Sequence, residues 1–242
     1  MSATCKTSGA VCIFSIAMAA LESAVVVYLR ALYYPDGFSV AFKLIDESIV
    51  RVELLRELAT LVMLVTVGYI AGRNFVERMA YFLLSFAVWD IFYYAWLKVL
   101  IDWPGSIMEW DILFLIPFTW LGPVFAPLVC SITMIILATV LLRSHRSVSN
   151  IVWACLISGS MLILFTFLEN YGKLIIGNGF TDDYPLLLQN SRFVALASGF
   201  LPQSFNWLVF SIGELLLLAG VYAQHRHITF KRKLSAQTSL TA

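Results

Sequence analysis

Three carboxylates, Glu22, Asp90 and Glu214, sit near the middle of stretches that are otherwise almost wholly apolar. Seven more charged residues, Arg30, Glu53, Arg56, Glu57, Lys98, Glu169 and Lys173, fall within about two helical turns of one end of such stretches. A charge at the centre of a membrane helix costs about 2.5–3.5 kcal/mol on insertion scales, so charges there need partners or a function. Buried carboxylates can carry protons, bind cations or act as general acids and bases. Arginines beside them can hold an anionic headgroup.

The spacing of these residues is helical. Glu53, Arg56, Glu57 and Thr60 follow i, i+3, i+4, i+7 and share one face. Asp90, Tyr94 and Lys98 follow i, i+4, i+8, with Tyr93 alongside. Thr166, Glu169, Asn170 and Lys173 form a third polar face, and Gln203, Asn206, Gly213 and Glu214 a looser fourth. Lipid offers such faces no hydrogen-bond partners, so they must meet other helices or water. Glu22, Arg30, Glu53, Arg56, Glu57, Asp90, Tyr94, Lys98 and Glu169 are expected to converge on one cavity in the outer half of the membrane, closed below by an apolar floor. Glu214 joins them as a candidate, and Asp90 is the first choice for function. The competing expectation is structural: Arg56 neutralises Glu53 or Glu57, Lys98 pairs with Asp102 or snorkels to the interface, and the pairs merely hold helices together. For the midplane acids Glu22, Asp90 and Glu214, Arg30 and Arg56 are the best-placed cations.

The elements that position these residues follow from composition. Of the 242 residues, 60% are hydrophobic and 13% charged, and the mean hydropathy is +0.85. Soluble domains carry about 25% charged residues. An ordinary soluble enzyme, a disordered chain and a nucleic-acid binder are thereby excluded. The expected fold is all-α: a single-domain polytopic membrane bundle of six transmembrane helices, over about 11–33, 52–72, 79–101, 111–142, 151–176 and 203–224. Ala17-Met18-Ala19 has the form of a signal cleavage site, but only Lys6 precedes it and the apolar run continues to Tyr34, so a retained first helix is expected. The fourth span is expected to be broken, because Pro117, Pro123 and Pro127 with Gly122 remove backbone donors from its outer half. Gly68 and Gly72 form a GxxxG that suits close packing inside the chain better than dimerisation.

Charge distribution sets the orientation. The N-terminus, the 73–78 and 143–150 turns and the tail after 224 hold nine basic residues against one acid, a balance of +8; the remaining seven bases and fourteen acids balance at −7. The positive-inside rule then puts both termini in the cytoplasm, in a bacterial inner membrane. Segment 34–51 is expected to lie at the outer interface, and 177–202 to form a long, partly buried outer loop.

Several chemistries are absent from the sequence. His145, His225 and His227 all sit at cytoplasmic ends, which leaves no intramembrane histidine for haem, di-iron or zinc. Cys5, Cys12, Cys130 and Cys155 form no CxxC pair. No phosphate-binding glycine motif occurs. No metal site is expected, the sequence leaves any cofactor unknown, and the basic tail suits lipid rather than nucleic acid. Three functions fit: transport of a small ion or solute, an outer-leaflet enzyme acting on a lipid or isoprenoid, or a non-catalytic subunit or assembly factor. Transport stands first, because midplane acids and a broken helix mark transport pathways. The expected partners are the bilayer and either further copies of the chain or a larger membrane complex.

Overall fold

The computed structural model describes residues 3–33, 47–116, 118–144, 148–181, 187 and 190–240, with the backbone alone given from 227 onward. Seven helices are present among them: α1 (Ala3–Tyr33), α2 (Glu47–Ala71), α3 (Phe75–Ile101), α4 (Phe125–Ser144), α5 (Asn150–Gly177), α6 (Ser191–Ser198) and α7 (Trp207–Leu240). All except α6 contain a stretch long and apolar enough to cross a membrane. The chain is therefore a multi-pass membrane helix bundle. Residues 34–46 of the expected interfacial segment and Pro117 lie outside the described residues.

Local signals start and stop these helices as their chemistry requires. The Asn74 side chain accepts the Glu77 N–H at the start of α3, and Ser149 does the same for Val152 at the start of α5. Asp102 ends α3 in the left-handed region, φ 53°, with its own N–H returned to Lys98 O. Asn190 caps the short α6.

The fourth span differs from its expected limits. Instead of a broken helix from residue 111, the chain forms an antiparallel hairpin, β1 (Trp110–Phe114) and β2 (Trp120–Pro123), and the helix begins only at Phe125. The prolines explain the boundary. Pro123 ends β2, where no further ladder donor is needed, and Pro127 sits in the first turn of α4, where the N–H has no intrahelical acceptor. Trp110, Ile112 and Phe114 supply the β-branched and aromatic residues that a strand favours. The hairpin is tied back by Val124 N–H to Glu109 O at 2.9 Å and Phe125 N–H to Ile107 O at 2.8 Å.

Helix packing forms an open arc rather than a closed ring. α2 packs on α3, α3 on α1 and α4, α4 on α7, and α7 on α5. Two glycine contacts set the closest approaches. A Cβ at Gly68 would lie 2.8 Å from the Phe82 side chain, so the GxxxG of α2 packs within the chain against α3. A Cβ at Gly213 would lie 2.8 Å from Ile163 and 2.9 Å from Gly159 O, which brings α7 backbone against α5. One apolar cluster, including Tyr81, Leu84, Leu141 and Leu156, fills the end of the bundle that holds the chain termini. A second, with Leu121, Tyr171, Phe180, Leu187 and Phe193, joins β2 to α5 and α6 at the hairpin end.

Candidate functional site

A cavity of about 1310 Å³ occupies the concave side of the arc. It exceeds the roughly 300–1,000 Å³ of ordinary small-molecule sites. Its walls come from α1, α2, α3, the hairpin, α4, α5 and α6, with Leu217 from α7. On α3 the lining runs from Met79 to Tyr94, about 22 Å along the helix axis. α2 and α5 face each other across it, yet they are not among the helix pairs with extended contact. The cavity thus lies between spanning helices that leave a cleft on the side of α2 and α5 among the described residues.

Its hairpin end is charged. Glu22, Arg30, Glu53, Arg56, Glu57, Asp90 and Tyr94 all line it, so seven of the ten candidate residues come together. Arg56 forms ion pairs with Glu53 of its own helix, at 2.7 Å, and with Glu22 of α1. Thr60 Oγ1 donates to the second oxygen of Glu22 at 3.1 Å. Arg30 approaches Asp111 at 3.6 Å and lies 3.8 Å over the Trp103 ring. Tyr94 donates its hydroxyl to the other Asp111 oxygen at 3.2 Å. Glu57 receives the Leu115 N–H, so this carboxylate satisfies a backbone donor just past β1. Asp90 is buried and receives one hydrogen bond, from Ser131 Oγ on α4, at 2.8 Å.

Asp111 is the residue that sequence reading missed. It lines the cavity, is 2% exposed, and links β1 to both α1 and α3. In sequence Asp111 opens an apolar run of spanning length, a pattern that points to the first turn of a helix and hides its place on a strand. Burial raises its carboxyl to about 6, against the opposing pull of Arg30 and the hydrogen bonds from Ile112 and Tyr94.

Three candidates fall elsewhere. Lys98 lies one turn beyond Tyr94, where its ammonium is exposed and pairs with Asp102 at 2.7 Å. Glu169 pairs with Lys173 at 2.6 Å and accepts from Asn206 at 3.1 Å, on a separate shallow surface between α5 and the start of α7. Glu214 sits behind the cavity wall, held by Thr133 Oγ1 at 2.7 Å. Helical spacing put Lys98 and Glu169 on polar faces but could not say how far along the axis the cavity reaches. Among the described residues no three of His, Cys, Asp and Glu converge to hold a metal ion.

Away from the hairpin the lining turns apolar. Met79 and Leu83 of α3, Met134 and Leu137 of α4, and Trp153, Leu156 and Ile157 of α5 continue the cleft toward the opposite end. These apolar residues line the end of the cavity where the sequence led to the expectation of an apolar floor. Fold and site together define a six-span membrane protein with a charged chamber opening into an apolar cleft. The chain matches no known protein family, and no curated protein or solved structure shows significant similarity to it.

Proposed function

We propose that this protein takes up a membrane amphiphile, holding its polar end in the charged chamber and its tail in the cleft between α2 and α5. The observation that carries this reading is the continuity of one cavity across both environments. A headgroup needs charges and hydrogen-bond donors; a hydrocarbon tail needs apolar walls and a side opening to lipid. The 22 Å run along α3 exceeds the ~15 Å of hydrocarbon in one leaflet. Asp90 is the group best suited to act on the guest, as a binding carboxylate or an acid–base. It has no ion-pair partner among the described residues, whereas Arg56, Glu22 and Glu53 satisfy one another and Glu57 is engaged by backbone. Both termini are assigned to the cytoplasm of a bacterial inner membrane on the charge partition, which makes the chamber face the outer leaflet.

The test is lipid retention. The protein is purified in mild detergent and its bound lipid counted by native mass spectrometry, beside Asp90→Asn and Ile157→Trp. Ile157 lines the cleft with half its surface exposed, so a larger ring there fills space without entering the packed core. One lipid per wild-type chain, reduced about tenfold in both variants with melting curves unchanged, is the expected result. Wild-type lipid at detergent background, or equal retention in all three proteins, overturns the proposal.

Transport of a small cation or proton is the second reading. It is favoured by five carboxylates, Glu22, Glu53, Glu57, Asp90 and Asp111, facing two guanidiniums in the chamber. The apolar walls toward Met79 and Trp153 offer an ion no ligands, which places this reading behind the first. Cation uptake into proteoliposomes that disappears in Asp90→Asn would reverse the order.

A further inference from the structure

The charges that line the cavity are unequal in number. Among the described residues, five carboxylates face two guanidiniums, an excess of three acids. Both guanidiniums are already engaged. Arg56 pairs with Glu22 and Glu53, and Arg30 lies against Asp111 and over the Trp103 ring. A headgroup that is anionic overall would have to displace a carboxylate from one of them while facing the surplus acids. A cation meets no such competition.

Asp90 shows where a cation would sit. Ser131 Oγ donates to its Oδ2, and its Oδ1 has no hydrogen bond among the described residues. Oδ1 is nonetheless not one of the polar atoms sealed away from water without a partner, so it keeps open surface. Asp90 is 9% exposed and lines the cavity, which makes the cavity the space this oxygen opens onto. Tyr93, one turn nearer the hairpin on the same helix, also lines the cavity. Its hydroxyl likewise has no hydrogen bond among the described residues and is not sealed. That hydroxyl lies within electrostatic reach of Asp90, Asp111, Arg30 and Arg56, in the midst of the chamber charges. Its ring stacks on Trp89 at 6.2 Å and meets Tyr94 edge-on at 5.0 Å. Aromatic faces beside a carboxylate favour a cation and disfavour an anion.

Resting on the amphiphile reading above, we infer that the guest's headgroup carries a protonated primary amine, held by Asp90 Oδ1 and Tyr93 Oη. An ammonium has three donors and no acceptor, and the two open oxygens can both accept. A carboxylate this buried and without an ion pair gains most from a cation brought to it. The inference narrows the guest from any amphiphile to an amine-bearing one and adds Tyr93 to the binding residues. It also leaves Arg30 and Arg56 as partners of the chamber's own acids rather than ligands for an anionic head.

The experiment compares two lipids that differ only in the terminal ammonium. Delipidated full-length protein in detergent is titrated with phosphatidylethanolamine and with phosphatidylethanol of identical chains, and occupancy is read by native mass spectrometry. The phosphate is common to both. One hydrogen bond to a charged group gives an expected preference of about tenfold for phosphatidylethanolamine in the wild-type chain. Asp90→Asn keeps the shape and is expected to abolish the preference while phosphatidylethanol binds at least as well as before. Tyr93→Phe keeps the ring and is expected to reduce the preference to about threefold. Phosphatidylcholine, which has the charge but no N–H, is expected to bind less tightly than phosphatidylethanolamine; equal binding of these two overturns the primary-amine assignment. Equal wild-type affinity for phosphatidylethanolamine and phosphatidylethanol, or a preference for the latter, overturns the whole inference without any variant having to fold. A preference that survives in Asp90→Asn overturns it too. If none of the lipids binds the wild-type chain, the amphiphile reading itself fails, which is a different result from equal binding.

Discussion

Glu57 of α2 receives the Leu115 backbone N–H on both carboxylate oxygens, at 3.1 and 2.9 Å, across 58 residues of sequence. Leu115 has just left β1, and its donor has no ladder partner. A carboxylate placed there by helical spacing fastens the hairpin to α2. Glu57→Ala leaves a half-buried donor unpaired and is expected to cost about 1 kcal/mol, whereas Glu57→Gln keeps an acceptor and costs less. Thermal melting in detergent separates the two; equal losses would show that the contact carries no stability.

The α5–α7 contact makes a steric prediction. Gly213→Val puts side-chain carbon against Ile163 and Gly159 O in a space that is already filled. Overpacking of this kind costs about 1–3 kcal/mol. Gly172→Ala is the control, because a Cβ there meets nothing within 4 Å. It is expected to be neutral or to add up to about 1 kcal/mol through helix propensity. A Gly213→Val protein that melts with the wild type would contradict the close approach of the two backbones.

Asp111 gives the fold a pH dependence with a definite sign. Its carboxyl is raised from an ordinary 3.8 to about 6. A raised carboxyl favours the protonated folded state, so this contribution is complete below about pH 4 and is lost as pH rises through 6. Melting temperatures measured from pH 4 to 7 are expected to fall along this interval. Asp111→Asn is expected to flatten that part of the profile; a slope identical in the variant would assign it to another group.

The orientation is open to direct measurement. A reporter active only outside the cytoplasm is expected to be silent when fused after Ala242 and active when inserted within residues 178–183. The opposite pattern would turn the charged chamber toward the inner leaflet.

The apolar runs were legible because a spanning helix needs length and composition and little else. The Glu53–Arg56–Glu57–Thr60 face was equally legible, since i+3 and i+4 spacing fixes which side chains share a side. Its pairing was visible only as alternatives: Arg56 suited Glu53 or Glu57 on its own helix and a midplane acid on another, and it bonds both Glu53 and Glu22. The hairpin was not legible. Pro117, Pro123 and Pro127 told where helix could not continue, yet proline excludes a structure without naming its replacement. Asp111 was lost with it, because its role depends on α1 and α3 meeting β1. Lys98 was misplaced for a further reason: spacing identifies a stripe on a helix but not the depth at which a cavity crosses that stripe.

α2 is clamped to α3 where Gly68 meets Phe82, and Leu64 belongs to the cluster with Met18, Ala19 and Trp89. Nearer the hairpin the ties seen among the described residues include polar ones: Arg56 to Glu22, Thr60 to Glu22, and Glu57 to Leu115. Across the cleft it has no extended contact with α5. Mechanically, α2 is rooted by apolar packing at one end and, among the described residues, latched by directional bonds toward the other. Among the described residues, releasing the latch would cost hydrogen bonds and ion pairs rather than core, so the stability of this wall of the cavity depends on charge where that of its root depends on packing.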